Sequence, residues 1–142
     1  MSKVKIFVQP EEEFAVNVFV CASDDGALFC DTSLEGLQKI VQDKENMDVE
    51  EIHLTFKKPS FGDAIELHKS IFSLSGESEG QIDFNPIAIR FKKFKTLIKT
   101  WDIKDEEGNV IPISDKTIKS LSPTIASVIG LRIDLETGGL LS

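Results

Sequence analysis

The run Phe14 to Cys21 constrains the fold more than any other stretch of the chain. Phe14, Val16, Val18 and Val20 occupy every second position, with Ala15, Asn17 and Phe19 between them. A sustained alternation of period two calls for a strand with one buried face. Neighbouring segments supply partners. Lys3 to Gln9 alternates too, with Val4, Ile6 and Val8 on one face, and the charged link Pro10-Glu11-Glu12-Glu13 separates it from the central run. Ala27 to Asp31 follows the turn signal Asp25-Gly26. These three segments read as an antiparallel meander. Glu51 to Lys57 alternates again and points Ile52, Leu54 and Phe56 inward. Between the strands, Thr32 opens a helix with Glu35 as its capping-box partner. Leu34, Leu37, Ile40 and Val41 form its apolar stripe, which ends in the polar stretch from Gln42 to Asn46. Residues 1–58 are therefore expected to form β-β-β-α-β, a sheet carrying one helix.

Beyond Pro59 the periodicity turns helical. Ser60 and Asp63 cap a helix with Ala64, Ile65, His68, Ile71 and Phe72 along one side. Ser73 to Gly80 is small, polar and glycine-containing, and is expected to be a mobile loop. Asn85-Pro86 starts a helix that runs to about Trp101, with Ile87, Phe91, Phe94, Leu97, Ile98 and a buried Trp101 at helical spacing. Asp105 to Asn109 is a turn, and Val110 to Ile113 is extended. Ser114 or Asp115 caps a short helix through Leu121. Ser122-Pro123 begins the last helix, with Ile125, Val128, Ile129 and one of Leu131 or Ile133 buried. The order of the tail, 137–142, is left open. The expected class is α+β: an N-terminal antiparallel sheet with one packed helix over 1–58, and a mainly helical C-terminal part over 59–142.

Composition narrows the function. Hydrophobic residues make up 41% of the chain, enough for a core, and the formal net charge is −8. That charge opposes general affinity for nucleic acid. No signal-peptide pattern follows Met1-Ser2, and the longest uncharged apolar-rich run, Phe14 to Ala22, is too short for a membrane helix. A cytoplasmic protein that does not contact membranes is expected. A two-residue turn at Asp25-Gly26 would set Cys21 directly opposite Cys30, as reduced thiols on one sheet face.

The motifs of catalysis are missing. There is neither a Walker pattern nor G-x-G-x-x-G, and Leu74-Ser75-Gly76 lacks the glycine that must precede a nucleophile-elbow serine. His53 lies on the polar face of its strand and His68 on the apolar side of its helix, with no cysteine near either, which disfavours zinc. Counting from Asp102, Lys104 and Glu107 occupy positions where a calcium loop needs an acid or amide and then glycine. No enzyme activity, catalytic residue, metal, cofactor or small-molecule substrate is expected.

The distinctive charge feature is basic. Arg90, Lys92, Lys93, Lys95 and Lys99 cluster within a chain that is otherwise acidic. At about 100° per residue, Lys92, Lys95 and Lys99 group together opposite Phe94, Leu97 and Trp101. Three readings compete: a solvated lysine face, a docking face for an acidic partner or for another copy's acidic surface, and a contact with nucleic acid or an anionic membrane. These five residues are the candidate partner-binding set.

The C-terminal half adds a resemblance. Leu97-Ile98-Lys99-Thr100-Trp101-Asp102-Ile103 leads to Asp105-Glu106-Glu107-Gly108-Asn109-Val110-Ile111-Pro112-Ile113, followed by Ile118, Leu121, Pro123 and Ile129. The pattern, over about residues 86 to 133, resembles small tail-gene-cluster proteins of tailed bacteriophages, often called tail assembly chaperones. Thr55 to Asp63, a strand passing through proline into a helix, is similar to segments of the same proteins. The resemblance implies binding to the tape-measure protein during tail building and no catalytic residues. It does not extend to 1–58, which leaves a minor virion component as the other form of the same reading. The expected function is thus a non-enzymatic bacteriophage morphogenesis protein. It would act by protein–protein binding to a phage structural or tape-measure protein, with self-association open, in the host cytoplasm or the virion. The alternative is a nucleic-acid-associated or regulatory protein that uses the basic helix 87–101.

Overall fold

A computed structural model describes residues 6–23, 25–41, 48–75 and 86–137. The elements run β1 (Glu13–Ala22), β2 (Leu28–Asp31), α1 (Leu34–Ile40), β3 (Val49–Lys57), α2 (Phe61–Ser75), α3 (Pro86–Leu97), β4 (Ile98–Trp101), α4 (Asp115–Lys119) and α5 (Pro123–Thr137). The strands form one antiparallel sheet in the order β2-β1-β3-β4, and the class is α+β as expected. The alternation of β1 buries Phe14, Val16, Val18 and Val20 beside Leu54 and Phe56 of β3. Helices α3, α4 and α5 cover this face with Phe94, Leu97, Ile118, Ile129 and Ile133. Aromatic rings run through the contact: Phe14 stacks on Phe56 at 5.5 Å, and Phe56 meets Phe94 edge-on at 5.4 Å. Helix α1 lies against β2 and β1, with Leu37 fully buried.

The helix expected over 87–101 is two elements. It stops at Leu97, and Ile98–Trp101 joins β3 as a strand. The pairing of Leu54 with Trp101 and Thr55 with Thr100 slips by one residue to Phe56 with Ile98. That bulge turns both Ile98 and Trp101, three positions apart, toward the core. A bulged strand thereby reproduces the i, i+3 spacing that reads as helix in the sequence. The strand also brings the C-terminal half of the chain into the sheet.

The cysteine register differs from expectation as well. Val20, not Cys21, faces Cys30, and Cys21 faces Phe29. The connection is a three-residue loop: Gly26 N donates to Ser23 O at 2.9 Å, and Ser23 N donates to Ala27 O at 2.8 Å. A one-residue shift sends the two thiols to opposite faces of the sheet. Both are free and buried. Burial, with the charge of Asp31 and then Cys21 adding to it, pushes the Cys30 thiol up.

Smaller corrections follow the same logic. Asp31 Oδ1 accepts from the amides of Thr32 at 2.6 Å and Ser33 at 3.3 Å. The N-cap of α1 is therefore Ser33, whose Oγ accepts from Gly36 N, rather than Thr32. Leu34 and Ile40 are exposed, and Gln42 to Asn46 lies outside the described residues. Ser60 and Asp63 form the expected box, Ser60 N donating to Asp63 Oδ2 and Asp63 N to Ser60 Oγ. Among the described side chains of α2, Leu67 is buried, while Ile65 and His68 are exposed. Ser73 to Ser75 is helix, and the rest of the expected loop, 76–80, lies outside the described residues. In α5, Ile133 is buried and Leu131 is exposed. Residues 6–9 do not form the expected first strand, whose remaining positions up to 5 are outside the described residues.

Candidate protein-binding site

Pro86 begins α3 with its φ already set for a helix. The five basic residues do not share one free face. Lys93 is only 4% exposed, and its Nζ donates to Asp134 Oδ1 of α5 at 2.7 Å. Arg90 Nε lies 4.0 Å from the other oxygen of that carboxylate. Lys95 Nζ pairs with Asp115 of α4 at 3.0 Å. Lys99 sits on β4 rather than the helix and pairs with Glu13 of β1 at 3.3 Å. Among the described residues no ion pair joins Lys92 to a carboxylate. Sequence reading found the cations but not the acids that hold most of them in place.

Two of the five, Arg90 and Lys92, border a groove of about 680 Å³ between α3, α4 and α5. Its apolar lining includes Phe91 and Phe94 of α3, Ile118 of α4, Leu121, and Ala126 of α5. Arg90, Lys92 and Lys119 also line it, with Asp115 as the acid among them. The hydrogen bond from Lys95 holds the Asp115 carboxyl below its ordinary range, helped by the charges of Lys95, Lys119 and Lys92. Lys119 Nζ lies over the Phe91 ring, 5.1 Å from its centre, where the negative face of the ring attracts it. The alkyl chain of Arg90 crosses Gly130, where an added Cβ would meet Arg90 Cδ at 3.4 Å. The groove thus has an apolar interior and a cationic margin on a protein of net charge −8. Lys119 and the groove itself were not legible beforehand, because three helices distant in sequence build it.

A second polar cluster lies on the open face of the sheet. His53 was expected on the polar face, and it is half exposed there with acids at both ring nitrogens. Nδ1 is 2.6 Å from Asp102 Oδ2, and Nε2 is 3.0 Å from Glu51 Oε1. The backbone joins in: His53 N donates to Asp102 Oδ1 at 2.7 Å, and Asp102 N to His53 O at 3.1 Å. The Asp102 hydrogen bond raises the His53 pKa above its usual value; desolvation opposes it, and the charge of Asp102 and then Glu51 add to it. Burial works against the Asp102 carboxylate, but hydrogen bonds from the His53 amide and ring outweigh it and lower its pKa. The ring and backbone bonds of His53 to Asp102 fasten the end of β4 to β3.

The pH dependence follows from these two directions. A raised histidine pKa contributes stability below the unfolded value, and the contribution is lost as pH rises through the folded value. A depressed aspartate pKa contributes stability above the unfolded value, lost as pH falls through the folded one. The pair therefore stabilises most between the lowered Asp102 value and the raised His53 value. The effect should be small, because water screens a half-exposed ring. Urea midpoints for the wild type should fall as pH rises past the His53 titration seen by NMR. His53→Gln should remove that limb, and an unchanged limb would assign it to another group.

Comparisons of the chain with protein-family models, with characterised proteins and with solved structures find no match. Among the described residues no helix is long and apolar enough to cross a membrane, and no group of three or more His, Cys, Asp or Glu is placed to hold a metal ion.

Proposed function

We propose that this chain is a non-enzymatic protein-binding factor, and that the α3–α4–α5 groove receives an amphipathic helix whose apolar face is bordered by acids. The groove with its cationic margin is the observation that carries the reading. Helix-in-groove recognition needs an apolar channel for anchors at i, i+3 or i+4 and charges beside it that fix the partner's orientation. Arg90, Lys92 and Lys119 provide those charges. Duplex nucleic acid is a poorer match: Lys93, Lys95 and Lys99 already neutralise acids of the same chain. The setting we propose is bacteriophage morphogenesis, as a tail assembly chaperone or minor virion component with a tape-measure or other structural protein as partner. That setting rests on the resemblance carried by residues 97–113 and by the helices after them.

The test is direct binding by the full chain at about 150 mM salt, where exposed charges are screened beyond roughly 8 Å. The ligands are a labelled acidic amphipathic peptide, its basic counterpart and a DNA duplex. The acidic peptide should bind and the other two should not. Lys92→Glu combined with Lys119→Glu should weaken it at least about tenfold, a change of roughly 1.4 kcal/mol. Ala126→Phe, which fills the groove, should block it. Preference for the basic peptide would overturn the groove reading, and tight salt-sensitive duplex binding would favour the nucleic-acid alternative. Co-expression with a tape-measure protein tests the setting separately: a complex lost in the double charge reversal supports it, and failure to form any complex removes it.

A further inference from the structure

Strand β1 uses only part of one edge. β3 pairs with it from Glu13 to Cys21, but β2 pairs with it only from Phe19 to Ala22. Lys58 N donates to Glu12 O at 3.0 Å, so the even-numbered residues of β1 bond toward β3. Alternation then turns the backbone N–H and C=O groups of Glu13, Ala15 and Asn17 toward the opposite edge. Among the described residues no strand pairs with these three there, and their side chains are exposed. An unpaired row of this kind is a template for another strand.

Residues 6–9, just before β1, carry the end of an alternating run yet are not part of the sheet. Ile6 is 80% and Phe7 77% exposed, with Val8 next to them also exposed. The two links that flank β1 explain why. In the link to β2, Gly26 N bonds to Ser23 O, Gly26 takes a φ of +88°, and the hairpin closes. In the link before β1, Glu12 N makes the equivalent bond to Gln9 O at 3.1 Å. A three-residue hairpin loop then needs a left-handed residue at its third position. Glu12 stands there, and among the described residues no residue other than glycine has positive φ. The left-handed conformation is disfavoured for a residue with a side chain, because its Cβ crowds the following carbonyl oxygen. Residues 6–9 are thus steered away from the edge of their own β1.

We infer that the arm at Ile6–Gln9 completes the open edge of β1 in a second copy of this chain, by reciprocal exchange. The pleat fixes which face each residue takes, and the pairing that the three-residue link 10–12 would give sets the register. Val8 lies opposite Phe14 and Ile6 opposite Val16, which extends the buried row, while Phe7 covers Ala15 on the outer face. A slip of one residue would turn Ile6 and Val8 to the polar side. A second copy is the occupant because every chain carries both a donor arm and an acceptor edge of matching alternation. A two-fold exchange uses both and leaves no open end. Each chain carries a net charge of −8, so added salt should strengthen this association by screening repulsion. The site is separate from the groove.

Sedimentation equilibrium of the full chain tests the inference. A reversible dimer is expected, with a dissociation constant on the order of 10 µM and tighter at higher salt. Ile6→Asp with Val8→Asp should give a monomer with unchanged circular dichroism, since both side chains are exposed in the single chain. Glu12→Gly should let the arm return onto its own β1, giving a monomer whose Ala15 and Asn17 amides resist hydrogen exchange. Phe7→Cys chains mixed with Ala15→Cys chains should form a disulfide-linked pair on oxidation. A wild type that stays monomeric up to several hundred micromolar would overturn the inference. So would a dimer indifferent to the two aspartates, or a cross-link that forms only within a chain carrying both cysteines.

Discussion

Replacing Trp101 with alanine should cost about 3–5 kcal/mol of unfolding free energy, the range for deleting a buried large aromatic. Trp101 is 7% exposed at the end of β4 and sits opposite Leu54, which is fully buried. Its ring meets Phe94 edge-on at 6.5 Å, and Phe94 in turn meets Phe56. The indole N–H donates to Ile111 O at 2.6 Å, which ties the extended segment after the acidic turn back to the sheet. Loss of the indole therefore opens a cavity where α3, β3 and β4 converge and also frees residues 103–111. Trp101→Phe keeps an aromatic ring but leaves the Ile111 carbonyl without its donor. It should cost about 1–3 kcal/mol, the usual range for a buried polar group left unpaired. Trp101 is the sole tryptophan, so urea unfolding must be followed by circular dichroism rather than by its fluorescence. Equal midpoints for Trp101→Ala and the wild type would place the indole outside the core.

The same residue shows what the sequence could and could not disclose. β1 and β3 were legible because their alternation is uninterrupted, and α2 because Ser60 and Asp63 form a local capping box. The sequence places Trp101 in the core but on a helix, because the bulge in β4 gives Ile98 and Trp101 helical spacing. The cysteine register turned on whether Gly26 is the second residue of a two-residue loop or the third of a longer one. The Asp-Gly signal fits both. The candidate site was half legible. A run of cations is visible in one stretch of sequence, but Lys93 meets an aspartate 41 residues away and Lys95 one 20 residues away. Pairings at such separations leave no local pattern. The groove was hidden for the same reason.

Asp134→Ala should destabilise the fold by about 2–3 kcal/mol, whereas Lys93→Met should be close to neutral. The asymmetry comes from burial. The Lys93 side chain is 6% exposed and that of Asp134 is 35% exposed. Without Asp134 the ammonium is left in an apolar setting with no counter-charge, and breaking a fully buried pair this way costs about 3–5 kcal/mol. The expected loss is smaller here because a flexible lysine can move its head group partway to water. Without Lys93 the partly exposed carboxylate keeps water and Arg90, whose Nε is 4.0 Å away, and methionine fills the lysine stem's volume. The double variant Asp134→Ala with Lys93→Met should therefore recover most of what the single aspartate loss removes. Because Lys93 and Asp134 join α3 to α5, two walls of the groove, Asp134→Ala should also weaken binding of the acidic peptide, and the double variant should restore it. If Lys93→Met proves as costly as Asp134→Ala, mutual attraction rather than the burial of one charge governs the pair. The joint between the two helices would then depend on the ion pair itself.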